Sequence, residues 1–115
     1  MAVTPVELFR AGNATSARLD RVRLGPAARD DLPTRLVNGV DSVDPNTGGA
    51  SAYTFMHPNV SGPWHRLPAG TTYDDTRLYL WSDQPDHWLF EPAQIMSVAD
   101  YLAALADVNG NFVPV

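Results

Sequence analysis

Apolar and polar positions alternate most clearly toward the C-terminal end of the chain. Thr76-Arg77-Leu78-Tyr79-Leu80-Trp81 is rich in strand formers, and Asp74-Asp75 and Ser82-Asp83 bound it, which predicts a strand. A second strand is predicted from Asp86 to Glu91, after the short Asp83-Gln84-Pro85 connection, so the two can form a hairpin. The period then changes from two to that of a helix. Val98, Tyr101, Leu102 and Leu105 fall on one apolar face, Ser97 can cap the first turn with Asp100 as its capping-box partner, and Asn109-Gly110 supplies the stop. The remaining Asn111 to Val115 form a terminal strand or a tail.

The N-terminal half has weaker patterns. Val6 to Arg10 reads as a short strand ended by Gly12 and Asn13. From Ser16 to Leu24, arginines and aspartate interleave with Leu19, Val22 and Leu24, which suits one weak helix or an ordered loop, and Gly25-Pro26 ends it. Residues 26–50 carry three prolines and three glycines, a composition of turns and short extended pieces. Ser51 to Phe55 reads as a short strand or a strand-to-helix entry after the Thr47-Gly48-Gly49 turn, and a loop from His57 to Pro63 precedes Trp64-His65-Arg66-Leu67. No repeat, heptad or low-complexity run interrupts the chain. The elements together predict one α+β domain over residues 1–115, with short strands and a C-terminal amphipathic helix.

Composition narrows the chemistry. With 115 residues and 44% hydrophobic content the chain can bury one core, and the absence of cysteine excludes disulfides, thiolate nucleophiles and cysteine zinc sites. The opening MAVTPVELFR has no basic segment before a long apolar run, and no stretch of about 18 apolar residues occurs, so neither a secretion signal nor a membrane span is expected and a cytoplasmic working place fits. The net charge of -5 disfavours nonspecific nucleic-acid binding. All eight basic residues are arginines, however, and their concentration in the N-terminal half can form a local anion-binding patch.

No phosphate loop, dinucleotide glycine motif, HExxH or nucleophile elbow occurs, and the spacing of His57, His65 and His87 matches no common local metal pattern. Only Glu7 and Glu91 can serve a mechanism that needs a glutamate. In His87-Trp88-Leu89-Phe90-Glu91, strand alternation puts His87, Leu89 and Glu91 on one face, where an imidazole and a carboxylate can share a cleft.

An ordered series of short matches resembles the toxins with an ADP-ribosyltransferase-like fold represented by the second exported toxin of type VI secretion. The matches are Leu8-Phe9-Arg10-Ala11, the turn Pro45-Asn46-Thr47-Gly48-Gly49-Ala50-Ser51, the turn Pro68-Ala69-Gly70-Thr71 before Leu78 and Leu80, and His87-Trp88 with Pro92 and Met96 before the final helix. They span residues 8–105. The resemblance implies a split, strongly bent β core whose cleft accepts the nicotinamide end of NAD as substrate.

The same resemblance assigns residues. Arg10 would bind the dinucleotide phosphate or adjacent ribose, a role suited to a permanently charged, forked donor. Gly48 and Gly49 would let backbone approach the ligand, and Ser51 would orient a ribose or amide. Glu91 would stabilise the oxocarbenium-like ribose, His87 would position a ribose hydroxyl, and Tyr53 and Trp64 would offer stacking surfaces for nicotinamide. A departure is Ala50, where relatives can carry a hydroxyl residue. The implied partners are a cognate antitoxin or immunity protein and an acceptor of ADP-ribose. A competing reading of the acidic composition is a noncatalytic protein-binding module such as an accessory or immunity protein.

Overall fold

Branched and aromatic residues at alternating positions draw eleven stretches of the chain into short strands among residues 1–25 and 31–115, which a computed structural model describes. In chain order the elements are β1 (Ala2–Val3), β2 (Leu8–Ala11), β3 (Arg35–Val37), β4 (Val40–Val43), β5 (Ala50–Tyr53), β6 (Trp64–Leu67), β7 (Thr72–Tyr73), β8 (Leu78–Gln84), β9 (His87–Pro92), β10 (Met96–Ser97), α1 (Val98–Asn109) and β11 (Val113–Pro114). The main sheet has the order β11-β6-β2-β5-β9-β8, and each neighbouring pair is antiparallel. A second sheet, β10-β4-β3, and the pair β1-β7 complete an α+β fold.

The main sheet is parted near its middle. Leu8 to Ala11 pair along their whole length with Leu67 to Trp64, and Ala50 to Tyr53 do the same with Phe90 to His87. Between these two blocks, β2 meets β5 in register only at Phe9 and Tyr53. One face of the sheet carries Leu8, Leu67, Ala50, Ala52, Leu78 and Phe90, all buried, and this face belongs to the same core cluster as Tyr101, Ala104, Leu105 and Val108 of α1. The other face carries Phe9, Ser51, Tyr53, Trp64, His87 and Leu89, which are half-buried.

The helix follows its sequence signals closely. The Ser97 hydroxyl accepts the Asp100 N–H at 3.0 Å, and the Gly110 N–H donates to Ala106 O at 3.1 Å. Its fully buried Tyr101 reaches past the side-chain layer to the sheet backbone, donating to Phe90 O at 2.6 Å and accepting the Ala50 N–H at 3.2 Å. Burial pushes the Tyr101 phenol well above its ordinary value, so the hydroxyl remains a donor. At the other end, Asn109 accepts the Leu19 N–H at 2.9 Å and donates to the Ser16 hydroxyl at 3.1 Å, tying α1 to the N-terminal loop.

That loop settles the open choice between helix and ordered loop. Asn13 Oδ1 accepts the Thr15 and Ser16 amides at 3.0 and 2.8 Å, Ser16 Oγ accepts the Arg18 amide at 2.9 Å, and Arg18 has a φ of 58°. Local side chains take amides that a helix would use, while Leu19 and Val22 still reach the core. The strands predicted over 6–10, 51–55, 76–81 and 86–91 form over 8–11, 50–53, 78–84 and 87–92. The hairpin turn accordingly falls at Pro85-Asp86, with Asp86 at a φ of 63°. Predicted turns and extended pieces in residues 26–50 resolve into the β3-β4 hairpin, apart from 26–30, which lie outside the described residues. Among the described residues, no helix is long and apolar enough to cross a membrane.

Candidate active site

Three neighbouring strands, β2, β5 and β9, carry Arg10, Ser51, and His87 with Glu91. Arg10 spans the parting in the sheet. Its NH1 donates to Ser51 O on β5 at 2.6 Å, its Nε to Ala17 O at 3.0 Å and its NH2 to Arg18 O at 3.1 Å. No carboxylate among the described residues lies within ion-pair distance of it. Burial pushes the guanidinium below its ordinary value, with the charge of Asp31 the largest opposing influence. A guanidinium has five N–H donors, so two remain for a ligand. Close to this bridge, Arg18 and Arg21 border a shallow surface pocket of about 550 Å³ with Asp20, Val22 and Leu102.

The opposite face holds an aromatic wall centred on Tyr53. Its ring meets Trp64 edge-on at 6.4 Å and 77°, and lies tilted against His87 at 5.2 Å and His57 at 6.1 Å. Phe55 stacks on His57 at 5.6 Å. Tyr53, Phe55, His57 and His87 border a pocket of about 290 Å³, closed on one side by the turn of the β8-β9 hairpin.

Both imidazoles at this pocket are held through Nδ1. His87 Nδ1 lies 2.6 Å from Asp83 Oδ1, so with the carboxylate ionised Nδ1 carries the proton, and in the neutral ring Nε2 is the acceptor. His57 Nδ1 instead accepts the Asn59 N–H at 3.2 Å, which leaves the proton of the neutral ring on Nε2. The two rings therefore offer opposite functions, an acceptor and a donor, on either side of Tyr53.

Glu91 is separated from this pocket. It stands four residues after His87 on β9, about 13 Å along an extended chain. Its side chain is 2% exposed, with Oε1 accepting the Asn46 N–H at 2.8 Å and Oε2 accepting the Trp81 indole N–H. It borders another pocket, of about 320 Å³, with Asn46, Asp75 and Tyr79. Ionised carboxylates have about four acceptor sites, so two remain after these bonds.

The glycine turn meets protein backbone. Gly48 has a φ of 135°, and a Cβ there would strike Asp31 O, while a Cβ on Gly49 would strike Phe90 O. The two glycines thus let the turn lie against the 31–32 segment and β9. Ser51 lies between Tyr53 and the turn, on the face of Leu89, and its hydroxyl has no hydrogen-bond partner among the described residues.

Sequence reasoning therefore identified Tyr53, Trp64 and His87, which come together, and Arg10, which stands at the neighbouring seam. It missed Asp83 and the clamp on Glu91 from Asn46 and Trp81. The spacing of Asp83 and His87 is visible in the sequence, but their meeting depends on a register shift between Ser82 and Gln84. No protein-family model, curated protein or solved structure matches this chain.

Proposed function

We propose that the chain is an NAD-using toxin of the ADP-ribosyltransferase-like kind, held in check by a cognate antitoxin or immunity protein. The observation that carries this reading is the sheet parted between β2 and β5, with Arg10 bridging the seam and Ser51, His87 and Glu91 on the next two strands.

In this reading Arg10 holds the seam from the core face of the sheet, and the dinucleotide lies on the opposite, aromatic face. Tyr53 and Trp64 supply flat surfaces for the nicotinamide ring. The Ser51 hydroxyl can bond a ribose or amide, and His87 presents an acceptor Nε2 to the pocket. As the bond from the ribose to the nicotinamide nitrogen lengthens, its electron pair neutralises the pyridinium and positive charge grows on the sugar. Glu91, the carboxylate that the resemblance assigns to that charge, is clamped by the Asn46 N–H and the Trp81 indole in a separate pocket and does not reach it.

The test is induction in a bacterial host of the wild-type chain, Tyr53→Ala and His87→Ala, following growth and intracellular NAD together. Growth arrest with NAD loss in the wild type, relieved by either substitution without loss of folding, is the expected result. Healthy growth and intact NAD with the wild-type chain would overturn the reading and favour a noncatalytic binding module.

A further inference from the structure

The β8-β9 hairpin does not run in simple register to its turn. Trp81 faces Leu89 and Ser82 faces Trp88, but Gln84, not Asp83, is the partner of His87. Asp83 is the extra residue. Such bulges bend a strand and re-aim a side chain, and here the carboxylate comes to 2.6 Å from His87 Nδ1. Ser82 Oγ fastens the same irregularity, bonding to Gln84 O at 2.8 Å and His87 O at 3.1 Å. The Asp83–His87 contact is half-sheltered, with the two side chains 18% and 25% exposed, so neither is a fully solvated surface group.

We propose that Asp83 is a positioning residue that keeps His87 Nε2 bare at the Tyr53 pocket, where His87 acts as the base that activates the group attacking NAD. This rests on the NAD-using reading and adds the class of acceptor: a nucleophile with a proton to give, either a hydroxyl or water. The bond from ribose C1′ to the nicotinamide nitrogen breaks, its electron pair leaving with nicotinamide. A bond from C1′ to the acceptor oxygen forms, and the acceptor proton passes to His87 Nε2. The resulting imidazolium is stabilised by the Asp83 carboxylate. Charge and atoms balance without a further reactant. The groups facing this ring from neighbouring segments are Tyr53, His57, Gln84 and Asp86, and Asp86 is occupied by the Thr54 hydroxyl at 2.6 Å.

The experiment uses the purified chain with NAD, measuring nicotinamide release, together with long-range proton–nitrogen spectra of its histidines. In the wild type, His87 should carry its proton on Nδ1. Asp83→Asn should lower kcat by about 10²-fold, the scale of general-base assistance, while KM for NAD stays within about twofold. Asp83→Ala should shift the His87 proton toward Nε2 with little change in melting temperature. An unchanged kcat, an effect on KM alone, or a wild-type His87 proton already on Nε2 would overturn the proposal while leaving NAD use intact. If the wild-type chain releases no nicotinamide, the NAD reading falls and the base role falls with it, whatever the tautomer.

Discussion

Arg10 and His87 are two strands apart in one sheet, yet they stand in opposite situations. At the seam, three of the five Arg10 N–H groups are spent on backbone carbonyls of Ser51, Ala17 and Arg18. At the hairpin pocket, His87 is anchored through one ring nitrogen only, and the side chains around it are bound mainly by ring contacts. The seam residue is scaffold, whereas the pocket residue has an atom left for chemistry. Loss of function therefore has different meanings at the two places: at Arg10 it must be separated from loss of fold, and at His87 it need not be.

The largest stability effect should follow Arg10→Ala, because three carbonyls lose a charged donor. The expected cost is about 3 kcal/mol, read by urea unfolding. A change below about 0.5 kcal/mol would show that the bridge is not structural and would erase the contrast with His87. Tyr101→Phe tests the support beneath the seam. It leaves Phe90 O and the Ala50 N–H unpaired in the core, with an expected loss of about 1–3 kcal/mol in the same assay.

Gly48→Ala should cost about 1–3 kcal/mol, through its positive φ and the collision with Asp31 O. Nicotinamide release should fall no more than the folded fraction does, since this turn presses on protein. Next in size is His87→Ala, expected to move stability by less than about 0.5 kcal/mol while relieving the growth arrest proposed for the wild type, which sharpens the comparison most directly. A large drop in melting temperature would instead make His87 a second scaffold residue.

The smallest effect concerns neither region and serves as a baseline. The Asp74 carboxyl is held at about 2, below its ordinary 3.8, by hydrogen bonds from the Thr76 side chain and backbone and then from Arg77. A carboxylate whose folded value is depressed adds stability that is present above about 3.8 and disappears as the pH falls through about 2. Asp74→Asn should therefore lower the melting temperature slightly at pH 7 and flatten the acid limb, the difference from the wild type closing as the pH falls from about 3.8 through about 2.

Legibility in the sequence followed the range of the interactions. Ser97, Asp100 and Gly110 act within one turn of a helix, so both ends of α1 were readable. The β8-β9 hairpin was readable for a related reason, since its strands are adjacent in the chain. By contrast, β6 inserts beside β2 across more than fifty residues and is only four residues long, leaving little local signal. The region 16–24 looked half-helical because its apolar spacing was right, but Asn13 and Ser16 capture its amides.

The chain by itself determined its secondary elements near the C-terminus, its lack of thiol chemistry, and the set of residues able to act on a ligand. Tertiary structure decided which of them meet. Whether Arg10 faces carbonyls or solvent depends on how far β5 parts from β2, and whether Asp83 reaches His87 depends on one bulged residue. Both are matters of register between strands, and register is set by the packing of the whole sheet against α1 and the core, which no short stretch of sequence contains.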